Sequence, residues 1–499
     1  MTGLSRRECI AGAALLLAGC GAPKLRDLTL QEMPPVAKRE FRGAWVATVA
    51  NIDWPSAPGL PAAQQQAEVV RIVDRAAALG LNALLLQVRP AADAIYPSAL
   101  EPWSEYVSGT QGLAMDYDPL AFWIEQAHRR GIELHAWFNP FRARHPTAKS
   151  ALAANHVANT QPAWVKAYGD LLWLDPGEPA AQQHTLAVVA DVAQRYDIDG
   201  VHIDDYFYPY PVAGANGDVP FPDETSWQRA QAAGNTLARD DWRRANVDRF
   251  VRLLYERVHT IKPWLRVGIS PFGLPRTQRR PPGIEGFDPY AKLYADAERW
   301  LVEGWLDYAA PQLYWPLASQ GQPFALLLDT WARDNPRGRH LWPGLFTSSV
   351  ALAPRNWPAD EIARQVAVVR AHQKASGHIH FSMVALLDDR GGVGALVQAL
   401  NTDVALVPAT PWLGAAAPAP PMLTREPGHV LVTAAAGEPA QWFALWRRQQ
   451  GAWRLSLRPA DKPLRSPLDR GPLVALVASS IGRTGLESER VSLRVLDHD

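Results

Sequence analysis

The run from Asp199 to Tyr210, DGVHIDDYFYPY, carries a short apolar strand straight into two carboxylates, Asp204 and Asp205. Four aromatics follow at Tyr206, Phe207, Tyr208 and Tyr210. A carboxyl group can act as acid, base or nucleophile, and flat aromatic faces suit the C–H faces of sugar rings. A strand that delivers both at its C-terminal end reads as a carbohydrate-processing site on an α/β barrel. Side chains alternate along a strand. Val201 and Ile203 should face outer helices, and His202 and Asp204 the barrel axis, with Tyr206 capping the mouth. Asp204 is therefore the first catalytic candidate. Asp205 reaches the cleft only if the strand twists there.

Glycoside hydrolysis needs a second carboxyl group, about 5 Å away for retention or roughly 6.5–9.5 Å for inversion. Glu224, in the long loop after the Asp204 strand, is a candidate, as are Glu178 in LDPGEP and the Glu101/Glu105 pair flanking Trp103. Glu178 equally suits the acidic first turn of a helix, and Glu224 a solvated loop. Residues at other strand ends should line the mouth: Arg89, Asn139, Arg142, Gln312, Tyr314 and Trp315. Arginine and amides can hold sugar hydroxyls and acetamido groups, while Trp315 or Trp54 could stack on a ring. His202 and Asp204 are possible zinc ligands, but one pair makes no site. No metal and no cofactor is expected.

The elements that must position these groups repeat a strand–helix unit eight times. Apolar strand segments fall at 42–49, 83–89, 133–139, 200–206, 266–272, 307–314, 341–346 and 379–386. Between them, Val69, Ile72, Val73, Ala76 and Leu79 keep helical spacing, as do Val247, Phe250, Val251, Leu254, Val258 and Ile261. Such alternation predicts parallel strands, and eight units over 41–402 predict an α/β fold of the TIM-type (β/α)8 barrel class. A doubly wound open sheet is the alternative, weakened by the lack of a Gly-rich turn after the first strand. A Pro/Ala-rich linker at 403–423 follows, with ATPWLGAAAPAPPM at its centre. Residues 424–499 carry short alternating runs and predict a small all-β sandwich. VASS at 477–480 and the turn after it resemble the end of a fibronectin type III domain. Such a module is expected to be dispensable for chemistry on small soluble glycans.

The first twenty residues read as an address. Arg6 and Arg7 precede a short apolar stretch, Ile10–Ala18, too short to span a bilayer. Leu17-Ala18-Gly19-Cys20 then resembles a bacterial lipobox, with lipidation at Cys20, and residues 21–40 form a tether. SRRECI resembles a twin-arginine signal with Cys9 in place of the usual Phe, which leaves Tat and Sec export both open. Gly21 favours the outer membrane, facing the periplasm. Both cysteines, Cys9 and Cys20, lie in this signal, so the mature chain has neither a disulfide nor a thiolate nucleophile. Fifty basic and fifty acidic residues give no basic field, so no nucleic-acid partner is expected. Twenty tryptophans suit a glycan-handling protein, although tryptophan also fills cores.

FRGAWVATVANIDWPS at 41–56, LLLQVRP at 84–90, HAWFNPFR at 135–142, LDPGEP at 174–179, DGVHIDDYFYP at 199–209 and DYAAPQLYWP at 307–316 resemble the glycosyl hydrolase-like 10 family. That resemblance implies a TIM-like barrel, hydrolysis of a glycosidic bond, and an envelope protein that cuts peptidoglycan glycan strands after their peptides have been removed. Asp204 sits where amylase-like barrels carry their nucleophile, with His202 replacing an arginine. Chitinase-like barrels place their acid at the position of Tyr206, so that pattern fails here. Two readings follow: a glycosidase of peptidoglycan or another periplasmic polysaccharide, and a catalytically silent glycan-binding envelope lipoprotein. A metal-dependent deacetylase lacks its ligand set.

Overall fold

The computed structural model describes residues 28–468 and 473–494. The export signal and Cys20 lie outside the described residues. The strands of the main sheet are β1 Phe41–Val46, β2 Ala83–Arg89, β3 Glu133–Phe138, β4 Gly200–Ile203, β5 Arg266–Ile269, β6 Tyr308–Ala309, β7 in two pieces, His340–Leu341 and Gly344–Leu345, and β8 Gly377–His380. The helices between and after them are α1 Ala62–Ala78, α2 Pro119–His128, α3 Pro179–Arg195, α4 Arg239–Ile261, α5 Ala297–Glu303, α6 Phe324–Arg333, α7 Ala359–Ala371 and α8 Val393–Leu400. Smaller helices lie in the loops. Every ladder of the sheet is parallel, and neighbours run in chain order. β8 returns to β1, Gly377 opposite Phe41. The first piece of β7 pairs with β6 and the second with β8, so both ends of the strand order belong to one strand and the sheet closes.

Closure explains the sequence pattern. Ala83–Arg89 is buried along its whole length, because a barrel strand has helices on one side and the filled axis on the other. Val201 and Ile203 join the helix-facing core with Val69, Ile72, Phe250 and Leu254. The axis is filled by a second cluster, Phe41, Leu85, Trp137, Tyr308, Trp342 and Ile379. Most strands are shorter than their apolar runs. β4 ends at Ile203 because Asp204 and Asp205 leave the ladder to enter the mouth. The run expected as strand 379–386 is strand only to His380, and Met383–Leu387 is a helical turn. A short apolar run does not distinguish the two by itself.

Residues 422–494 form two antiparallel sheets. One has three strands, β9 Met422–Glu426, β10 His429–Thr433 and β13 Leu464–Pro467, in the order 9-10-13. The other has four, β11 Ala440–Gln449, β12 Ala452–Pro459, β14 Leu473–Gly482 and β15 Val491–Arg494, in the order 12-11-14-15. This module sits on the base of the barrel, where the strands begin. Asp199, just before β4, accepts from His128 Nε2 at 2.8 Å and from Gln441 Nε2 of the module. Leu406 packs with Trp442 and Trp446. The segment before β1 binds the same region: Lys38–Arg39 pairs with Ala405–Leu406, and the Leu28 amide donates to Ser492 Oγ. Residues 405–412 are thus docked rather than free. Arg266 Nε donates to Thr410 Oγ1 at 2.8 Å, and Trp412 Nε1 to Asp307 Oδ1 at 2.8 Å.

Candidate active site

At the opposite end, where the strands finish, a cavity of about 180 Å³ opens between the loops. It is below the 300–1,000 Å³ that encloses a drug-sized ligand. An oligosaccharide must therefore lie mostly along the open surface, with a small part held inside. Asp204, Arg142, Tyr206, Gln312 and Tyr314 line it from their strand ends, and Asp205 lines it too, which a regular strand would not have allowed. So do Tyr210, one of the four aromatics after the carboxylates, and Trp45, Trp137, Gln87, His145, Ser270 and Phe381, which sequence reasoning missed. A signal for Trp137 existed: it lies two residues from His135 and two from Asn139, on the inward face of β3.

Asp204 is 3 % exposed, with its oxygens unequally held. Oδ2 accepts from Trp137 Nε1 at 3.0 Å and Asn139 Nδ2 at 3.2 Å, while Oδ1 lies at a longer 3.4 Å from Asn139, and the Tyr206 backbone N–H also bonds the carboxyl group. Two N–H donors fix Oδ2 as an acceptor, so a proton on this carboxyl group belongs on Oδ1. Burial, reinforced by the charge of Asp205 and opposed by Arg142, pushes Asp204 up to about 7. Asp205 is equally buried, and burial raises it too, against a hydrogen bond from the Tyr210 hydroxyl. The site thus holds two adjacent carboxyl groups, one with affinity for a proton near neutrality. That is the condition for acid catalysis at ordinary pH.

The floor beneath them is rigid. His202 Nε2 accepts from Trp45 Nε1 at 3.2 Å, which leaves the ring proton on Nδ1, facing the Tyr308 hydroxyl at 3.1 Å. That hydroxyl in turn meets His135 Nδ1 at 2.9 Å. Burial holds His202 well below its ordinary value, so it stays neutral. Arg142 lies over the Tyr206 ring, 5.0 Å from its centroid, and its Nε donates to Pro90 O at 3.0 Å. His145 is pushed down to about 4 by burial and by Arg142, and is neutral as well. Among the described residues, no group of three His, Cys, Asp or Glu side chains is gathered to hold a metal.

Several expected residues stand elsewhere. Glu224 begins the helix Glu224–Ala232, is exposed, and pairs with Arg239 at 2.7 Å. The loop after β4 folds it outward onto that arginine, so it is not the second carboxylate of this cavity. Glu178 pairs with Arg229 at the start of α3. Glu105 accepts the Lys149 and Ser150 amides at 2.8 and 2.9 Å. Glu101 is bound by Arg89 and by His184, at 2.9 Å, and against its burial the Arg89 charge and these hydrogen bonds hold it well below the usual carboxylate range. Arg89 therefore cannot meet a sugar: it is fully buried, and besides Glu101 it donates to the Asn139 carbonyl at 2.6 Å. Its effect is to fix the end of β3. Asn139 lies behind the cavity wall and positions Asp204, while its Oδ1 accepts the Arg142 amide at 2.9 Å. Trp54 is fully buried, edge-on to Trp123, with Nε1 donating to Gln65 O, and cannot stack on a ligand. Trp315 packs against Phe272 beside the mouth, outside the cavity wall.

Comparison with known proteins agrees with this geometry. The chain is 39% identical over 403 residues to glycosyl hydrolase YngK of Bacillus subtilis, covering 78% of this chain and 77% of that one. It is 33% identical over 355 residues to glycosyl hydrolase DigH of Escherichia coli, covering 66% of this chain and 79% of that one. Among solved structures it shares a fold with the catalytic domain of β-amylase from Paenibacillus polymyxa, at a TM-score of 0.50 and 12% identity over 73% of this chain and 98% of that one. The family model for glycosyl hydrolase-like 10 matches residues 40–360, which contain β1 to β7 and both aspartates of the cavity. With a closed barrel, a carboxyl pair at its mouth and this match over most of the barrel, the chain belongs to the glycosyl hydrolase-like 10 family and is a glycoside hydrolase.

Proposed function

We propose that the enzyme hydrolyses glycosidic bonds in peptidoglycan glycan strands from which the stem peptides have been removed, using Asp204 and Asp205. The observation that carries the chemistry is the burial and unequal hydrogen bonding of Asp204, with two N–H donors on Oδ2 and a carboxyl group pushed up to about 7. Asp204 gives this proton to the glycosidic oxygen as the bond to the anomeric carbon breaks. The Asp205 carboxylate stabilises the positive charge that develops on the sugar ring, and a water molecule then adds to the anomeric carbon and gives its proton to the Asp204 carboxylate, which restores the acid. The role differs from the nucleophile position suggested by amylase-like barrels. It follows from burial beside Trp45 and Trp137, which favours the uncharged acid.

Peptide-free strands are favoured by the walls of the cleft. The loop after β4 brings Tyr210 over the cavity, and the loop after β3 brings Arg142 and His145. A stem peptide on each second sugar would have to pass these walls. We further propose that Cys20 is lipidated and holds the enzyme at the outer membrane, facing the periplasm. Leu28, eight residues on, is bonded to Ser492, and eight residues reach at most about 29 Å. Such an anchor sets the β module beside the membrane and turns the barrel mouth toward the glycan. The module's three- and four-stranded sheets, in the orders 9-10-13 and 12-11-14-15, support the fibronectin type III-like reading.

The test compares product release from peptide-free strands, intact sacculi, chitin and an α-glucan at equal mass. Release chiefly from peptide-free strands supports the assignment. Faster release from intact sacculi overturns the substrate, and tight binding without products from any of the four indicates the glycan-binding lipoprotein instead.

A further inference from the structure

A second groove lies beside the catalytic cavity, with a volume of about 580 Å³. Its walls come from the loops after three successive strands: Ala50, Asn51 and Ser56–Pro58 after β1, Glu105 and Tyr106 after β2, and Pro146–Lys149 after β3. The two spaces share a ridge. Val49, Ile52 and His145 line the catalytic side, and their chain neighbours Ala50, Asn51 and Pro146 line the other. Ile52 is 43 % exposed on this ridge, an apolar surface where a sugar face can rest. The groove is built rather than incidental. Asn51 Nδ2 donates to the carbonyls of Pro55 and Tyr106, both at 2.8 Å, and the Tyr106 hydroxyl meets Thr147 Oγ1 at 3.2 Å. Ala50 and Asn51 both take positive φ, 54°, to turn the first loop into this wall.

Two charged side chains line the groove. Glu105 is 7 % exposed and its Oε2 is occupied by the Lys149 and Ser150 amides. Lys149 is exposed, and its ammonium has no carboxylate within ion-pair distance among the described residues. The groove therefore offers a sugar-sized apolar ridge, a polar wall in which the Glu105 carboxylate is held by backbone amides, and an ammonium in no ion pair among the described residues, all contiguous with the bond-cleaving carboxyls.

We propose that this groove is a subsite for the sugar next to the cleaved bond, and that Lys149 reads a free carboxylate on that sugar. The inference rests on the reading of the substrate as peptide-free peptidoglycan glycan. In such a strand each lactyl group ends in a carboxylate, and where the stem peptide remains the same carbon is an uncharged amide. A cation here selects peptide-free strands by charge, in addition to the bulk the loops exclude.

The experiment uses the full chain and two forms of one substrate: peptide-free strands, and the same strands with their lactyl carboxylates converted to methylamides. An exposed ion pair is worth up to about fivefold in kcat/KM. For the unaltered enzyme the ratio of kcat/KM, carboxylate over methylamide, is expected near five and expressed in KM. Lys149→Ala should bring the ratio near one by losing activity on the carboxylate form, and Lys149→Arg should restore it. Equal ratios in the unaltered enzyme and Lys149→Ala overturn the proposal. If the unaltered enzyme cleaves neither form, the substrate reading itself has failed. Binding of both forms to Asp204→Asn then still decides Lys149: no loss of the carboxylate preference on adding Lys149→Ala refutes it.

Discussion

Replacing Trp137 by Phe should move the alkaline limb of the activity profile upward by about one pH unit. The indole Nε1 donates to Asp204 Oδ2 at 3.0 Å, in a position 6 % exposed, where water cannot readily replace it. A hydrogen bond to an ionised carboxylate is worth about 1.5–3 kcal/mol and one to its neutral form about 0.5–1.5 kcal/mol. Losing the donor thus penalises the charged form by roughly 1–1.5 kcal/mol more than the neutral one, which at about 1.4 kcal/mol per unit is about one pH unit. Asp204 lies at about 7, so the variant's acid should titrate near ~8. A proton donor works only while protonated, so kcat/KM should fall as pH rises through this value, and the fall should begin later in the variant. The assay is kcat/KM against pH on peptide-free strands, with Asn139 Nδ2 left in place to hold the carboxyl. Movement of the acid limb in place of the alkaline one would show that Asp204 works ionised. An unmoved profile would show that Asp204 is not the titrating group.

Glu224→Gln should leave kcat/KM within about twofold, since its partner is a surface arginine and exposed pairs contribute little; a loss of orders of magnitude would restore it as a catalytic acid. Trp54→Ala should cost about 3–5 kcal/mol in denaturant unfolding through its cavity, with kcat of the folded fraction unchanged. Ending the chain after residue 421 removes Gln441 and Arg483 from Asp199 and uncovers Leu406, so the barrel should melt at a lower temperature by calorimetry; an unchanged melting temperature would show the module to be merely attached. Cys20→Ala should move the protein from the membrane to the soluble fraction, and unchanged fractionation would remove the lipid anchor from the account.

Much of the barrel is legible in the sequence because each of its strands must be apolar on both faces and each helix on one. The position of Asp204 is legible for a related reason. Once Val201 and Ile203 face the helices, period two sends His202 and the residue after Ile203 to the axis. Asp205 is not, because the same period would turn it away from the axis, and it reaches the cavity only because the chain leaves the ladder after Ile203. Trp45 and Trp137 obey it, but a tryptophan inside an apolar strand looks the same whether its edge meets a cavity or a core. Trp54 shows the converse: residue type suggested a sugar platform, while α1 and α2 close over the ring and bury it. Glu224 and Arg89 failed for want of distances. The first is carried outward by a loop of no regular period, and the second is committed to Glu101 and the β3 backbone by contacts between segments far apart in the chain.

The central claim is tested most directly by Asp204→Asn on peptide-free strands, with released products identified by mass, binding by co-sedimentation, and melting measured from pH 4 to 8. An acid raised to about 7 binds its proton more tightly when folded, so the stability it lends is present at low pH and lost as pH rises toward that value. The amide has no charge to bury. The account predicts that Asp204→Asn binds strands as the unaltered enzyme does, melts higher at pH 8 with the difference closing toward pH 4, and releases products slower by orders of magnitude. Full product release by the folded variant would contradict it.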